Sequence, residues 1–101
     1  MPLLESFTCE TFAPLTGDVF RLDAGGDGLD LELTEATEAP APGQRPGGRR
    51  APFSVVFAGP LEPVLPQRIY PLAHPALGSF ELFLVPIGPE EGRMRYEAVF
   101  T

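Results

Sequence analysis

Residues 78–88 read Gly78-Ser79-Phe80-Glu81-Leu82-Phe83-Leu84-Val85-Pro86-Ile87-Gly88, the longest apolar run in the chain, with glycine at both ends. As extended backbone the run sends Phe80, Leu82 and Leu84 to one side and Glu81, Phe83 and Val85 to the other. Both faces are then largely apolar, which predicts a strand covered on two sides, in a closed barrel or in the middle of a sandwich. A helix is the rival reading of a short apolar run. Pro86 opposes it, because proline inside a helix deletes a hydrogen bond and collides with the preceding turn. The terminal glycines and the internal phenylalanines favour a strand as well.

The flanking segments follow the same two-residue period. Upstream, Gln67 to Ala73 reads as a short strand with Ile69 opposite in sense to Arg68 and Tyr70. Pro71 has no N–H to give a ladder, so this strand is expected to be an edge or to end early. His74-Pro75-Ala76-Leu77-Gly78 is a tight turn into the central run. Downstream, Gly88-Pro89-Glu90-Glu91-Gly92 is the next turn, and Arg93 to Thr101 is the last strand. There Met94, Tyr96, Ala98 and Phe100 alternate with Arg93, Arg95, Glu97 and Val99. Further out, Phe53 to Ala58 is a strand with Phe53, Val55 and Phe57 on one side. Prolines at 60, 63 and 66 predict an irregular crossing after it.

A hairpin is the clearest local signal in the first half. Phe20 and Leu22 alternate with Val19 and Arg21, and Leu29, Leu31 and Leu33 alternate with Asp30, Glu32 and Thr34. The linking Ala24-Gly25-Gly26-Asp27-Gly28 suits positive φ. One face is apolar and the other acidic and solvated, with Arg21 across from Asp30 or Glu32. Before the hairpin, residues 1–17 hold one short helix capped by Thr8 or Ser6 and ended by Gly17, with Phe12 and Leu15 on one face. It is expected to plug one end of the β domain, with Phe7 nearby. Residues 39–52 carry four prolines, three glycines and three arginines and no apolar period, which predicts a mobile loop inside the domain.

The sum is an all-β fold: six strands in an antiparallel meander, closed as a small barrel or split into a sandwich, with one short N-terminal helical turn. Residues 1–101 form a single domain, an ordinary size for one. An apolar fraction of 44% suffices for a core. The net charge of -7 argues against nonspecific binding to nucleic acid or anionic membrane. The N-terminus lacks the basic start and apolar run of a secretory signal, and no stretch approaches a membrane span. The expectation is a protein made in the cytoplasm.

Candidate chemistry is sparse. Cys9 stands alone, so it forms no internal disulfide and no multi-cysteine zinc site, and it reads as a small, partly buried apolar residue. His74 is the sole histidine, and before Pro75 it reads as a turn residue bonded to local backbone rather than as a general base. Asp23, Asp27 and Asp30 surround a glycine-rich turn but do not match the twelve-residue calcium loop. Ser6, Ser54 and Ser79 lie in no nucleophile-elbow pattern. Arg45, Arg49 and Arg50 are the candidate partner-binding residues, able to meet an acidic surface. No catalytic residue, metal or cofactor is expected.

Several phrases also carry a resemblance. Phe12-Ala13-Pro14-Leu15-Thr16-Gly17, Pro52 to Phe57, Leu65-Pro66-Gln67-Arg68-Ile69-Tyr70, His74 to Gly78, Leu82 to Gly88 and Tyr96-Glu97-Ala98-Val99-Phe100 resemble, in order and spacing, a family of small bacterial domains of unknown function. The resemblance implies an accessory or structural component near phage-tail-collar-like fibre proteins of the microcystin-dependent-protein type, and thus a tail-like or extracellular assembly. Two functional expectations follow. The first is a non-enzymatic structural or interaction module that binds a protein partner or copies of itself. The alternative is a small-ligand-binding barrel with a pocket near Tyr70, His74 and Tyr96.

Overall fold

A computed structural model describes residues 7–23, 28–38, 52–62 and 64–100. Six strands, β1 (Val19–Asp23), β2 (Gly28–Glu38), β3 (Phe53–Gly59), β4 (Arg68–His74), β5 (Gly78–Glu90) and β6 (Arg93–Phe100), close into one antiparallel barrel. Around the ring the order is β1-β2-β3-β6-β5-β4. It is a barrel, not a sandwich, and it is not the expected meander. β3 and β4 are consecutive in the chain yet face each other across the ring, so the connection between them, described at 60–62 and 64–67, traverses one mouth of the barrel.

Inward positions follow the two-residue period. Phe20, Leu22, Leu31, Leu33, Phe53, Val55, Phe57, Leu72, Leu82, Leu84, Tyr96 and Ala98 fill the interior. The helical plug is a single α turn, α1 (Cys9–Phe12), running into a 3-10 turn at Ala13–Leu15. Thr8 is its N-cap, its N–H donating to Thr11 Oγ1 at 2.9 Å, and Gly17 ends the segment at φ +97. Phe12 drops from this turn into the mouth formed by Phe20, Phe53, Phe80 and Phe100, all within 6.4 Å ring to ring. Phe7 closes over it edge-on at 5.4 Å. The expected plug is therefore present.

The opposite mouth is closed by the proline-rich crossing. Leu65 is buried there, and its N–H donates to the Tyr96 hydroxyl at 2.9 Å. The Tyr70 hydroxyl donates to the Pro66 carbonyl at 2.6 Å.

Strand ends and environments differ from expectation in four places. β4 is neither an edge nor cut short, because it pairs with β5 along its whole length and with β1 at Arg21–Ala73 and Leu22–Leu72. Pro71 is accommodated where the β1 pairing stops. β5 runs past Gly88 to Glu90, since a bulge between Pro86 and Gly88 absorbs the prolines and Gly88 adopts φ +112. β2 runs past Glu35 to Glu38, after a bulge between Leu33 and Glu35.

The fourth difference concerns cover. β5 is buried on one face only: Phe80, Leu82 and Leu84 point inward, while Glu81 and Phe83 stand in solvent. The strand covered on both faces is β3, whose outward Val56 and Ala58 are also buried. Their register partners are long charged side chains, Glu35 and Glu97 beside Val56, Glu32 and Arg95 beside Ala58. The aliphatic stems of these residues screen the strand while their heads stay in water. Ion pairs Arg93–Glu32 at 2.6 Å and Arg95–Glu90 at 2.9 Å hold that cover in place. The hairpin pair expected at Arg21 forms with Asp30, at 2.8 Å.

Candidate functional site

The structure places Tyr70 and Tyr96 at one mouth of the barrel and His74 at the other. Tyr70 and Tyr96 serve the crossing at one mouth. His74 lies four residues further along β4, at the mouth sealed by α1. Loss of water around Tyr70 raises its phenol pKa, with Arg68 opposing and Tyr96 adding. The phenol of the folded chain therefore remains a donor to Pro66 beyond the ordinary tyrosine value of about pH 10, and the stability it contributes, full below that value, is lost as pH rises through the raised pKa.

His74 is 7% exposed, and its ring lies 4.5 Å from that of Phe20. The Ala76 N–H donates to Nδ1 at 3.0 Å, so Nδ1 is the acceptor nitrogen of a neutral ring. Nε2–H then donates to Asp18 Oδ2 at 2.9 Å. An imidazole beside a carboxylate resembles half of a catalytic triad, but a general base needs a free lone pair aimed at substrate. Here the lone pair is occupied by the backbone of the 75–77 turn. The histidine is a clasp joining the β4–β5 turn to the start of β1. His74→Phe keeps the ring against Phe20 and loses both hydrogen bonds, whose partners are exposed enough to be hydrated, so it should cost about 1 kcal/mol. His74→Ala also removes the ring and should cost about 2–4 kcal/mol. Urea denaturation of the two variants tests this, and equal losses would mean that the polar clasp, not the ring, carries the stability.

Cys9, the first residue of the α1 plug, is partly buried. Loss of water raises its thiol pKa, and the carboxylates of Glu38 and Glu10 raise it further. That is the reverse of the electropositive setting that makes a reactive thiolate. Among the described residues no group of three or more His, Cys, Asp or Glu side chains could hold a metal ion, and no helix is long and apolar enough to cross a membrane. Arg45, Arg49 and Arg50 lie outside the described residues, as does most of the 39–52 segment and the Ala24–Asp27 turn.

Two outer features stand out. One is an open cleft of about 170 Å³ lined by Thr34, Glu35, Ala58, Glu90, Arg93 and Arg95 among others. Its arginines are engaged with Glu32 and Glu90 as the cover of β3. The other is an apolar row across three neighbouring strands. Ile69 on β4 pairs with Phe83 on β5. Val99 on β6 lies two residues beyond the Glu97–Val85 pair, and continuing that register sets it level with Phe83. These three side chains are 60%, 48% and 63% exposed. Val85 continues the apolar surface, and Glu81 and Glu97 bracket it. Neither glutamate forms an ion pair among the described residues. The two-residue period predicts a covered face for Phe83, whereas it is 48% exposed. The alternation of Ile69, Phe83 and Val99 is visible in the sequence, but the strand order that aligns them is not.

Neither the curated proteins nor the solved structures yielded a match to this chain. A family model does match, over residues 7–100, and so takes in the plug, all six strands and both mouths of the barrel. The chain belongs to that family, the domain of unknown function DUF6916.

Proposed function

We propose that this domain is a non-enzymatic interaction module that docks a protein partner on the outer face of β4, β5 and β6. The observation that carries the reading is the row of Ile69, Phe83 and Val99, large apolar groups standing in solvent on a rigid sheet. Exposed apolar groups scattered singly are ordinary, whereas a contiguous set on one face marks a contact surface. The barrel supports the row and takes no part in it: both mouths are plugged and the interior is packed with Phe, Leu and Val side chains. On the resemblance described above, the partner is a fibre protein of a phage-tail-like assembly, with this domain as an accessory or subunit.

The test is size-exclusion chromatography with light scattering, run on the purified chain alone and mixed with the fibre-type product of a neighbouring gene. Co-elution is expected with the natural chain and loss of it with Phe83→Ser. Phe83 points away from the core, so circular dichroism should show that variant folded. A monomer that ignores the fibre protein would overturn the assembly reading. Binding that Phe83→Ser leaves intact would overturn the assignment of the surface.

A further inference from the structure

The charge around the apolar row says what kind of partner it fits, an inference that rests on the docking reading above. Glu81 lies on one side of Phe83 along β5, and Glu97 lies on the other side through its pair with Val85. Among the described residues, the arginines nearest in the outer face are already committed, Arg95 to Glu90 and Arg93 to Glu32, while Arg68, beside Ile69, is in register with inward-pointing Leu84 and so belongs to the mouth side of β4. Among the described residues the row is thus an apolar strip whose acidic rim forms no ion pair, on a chain of net charge -7.

We infer that the occupant is a segment of a different protein in which apolar side chains alternate with arginine or lysine, and not a second copy of this chain. A second copy meeting the row through a two-fold axis would set this acidic rim against itself. The area points the same way. Three half-exposed side chains offer on the order of a few hundred Å², well short of the roughly 800 Å² per partner of a standard interface. A strip of that size suits a short segment, with apolar groups seated on Ile69, Phe83 and Val99 and cationic heads reaching Glu81 and Glu97.

The experiment uses the isotope-labelled full chain and two synthetic peptides of equal length, one alternating leucine with arginine and one alternating leucine with glutamate. Amide shifts map where each binds. The cationic peptide is expected to perturb Ile69, Glu81, Phe83, Glu97 and Val99, and to bind at least about ten-fold more tightly than the anionic one. Phe83→Ser should abolish those shifts, and the double variant Glu81→Gln, Glu97→Gln should bring the two peptides close to equal affinity. Equal affinity of both peptides for the natural chain, mapped to the row, would overturn the charge inference and leave the docking surface standing. Self-association abolished by Phe83→Ser would likewise replace the basic segment with a second copy. Shifts that fall elsewhere, or survive Phe83→Ser, would overturn both the inference and the surface it rests on.

Discussion

Replacing Phe12 by alanine is expected to lower stability by about 3–5 kcal/mol, a large fraction of the roughly 5–15 kcal/mol that holds a folded domain together. The residue belongs to a helix of one turn, which has no stability of its own in water. Phe12 is nevertheless fully buried, against Phe7 at 5.4 Å, Phe100 at 5.5 Å and Phe53 at 6.0 Å. Alanine would leave a void among five rings that are anchored on four different strands and the N-terminal segment, and those anchors limit how far the void can collapse. Phe12→Leu refills most of the volume and should cost clearly less. Denaturant midpoints of the two variants decide the matter. A loss below about 1 kcal/mol for Phe12→Ala would mean that α1 is a loose attachment and not the closure of the barrel.

That plug was legible because its signals are local: a capping Thr8, an apolar pair at Phe12 and Leu15, and Gly17 at the stop. The six strands were legible for the same reason, since alternation such as Met94-Arg95-Tyr96-Glu97-Ala98 is written in adjacent residues. What adjacency does not carry is which strands become neighbours. Alternation predicts two-sided burial for Phe80 to Val85, yet Val55 to Ala58 holds it. The two runs look alike in sequence. They differ in what lies beside them, and β3 has the long charged side chains of β2 and β6 to cover its outer face. Since β6 is the last strand in the chain, no reading of nearby residues could place Glu97 and Arg95 there.

The candidate surface was hidden by the same limit. Ile69, Phe83 and Val99 are spread over thirty-one positions, and only the order β4-β5-β6 makes them a row. The clasp between His74 and Asp18 spans 56 residues and closes because β1 and β4 seal the ring. The local half of it, the ring bonded to backbone in its own turn, was readable from the histidine standing before a proline.

Tyr96→Phe should cost about 1–3 kcal/mol although it deletes a single oxygen. Tyr96 is almost fully buried, and its hydroxyl is the acceptor for the N–H of Leu65, itself buried beneath the crossing. Phenylalanine fills the same space and leaves that N–H facing carbon, away from water, which is the expensive way to lose a hydrogen bond. Tyr70→Phe provides the internal comparison. It also removes one hydroxyl from the same mouth, but the partner left behind is the carbonyl of exposed Pro66, which water can reach. The net contribution of such a bond is about 0.5–1.5 kcal/mol. The two variants therefore differ less in what they delete than in what they strand. If Tyr70→Phe proved the more damaging, Leu65 would have found another acceptor, and the crossing would be held by its tie to β4 and not by burial over β6. Amide exchange at Leu65 separates the cases: its protection should fall in Tyr96→Phe and persist in Tyr70→Phe.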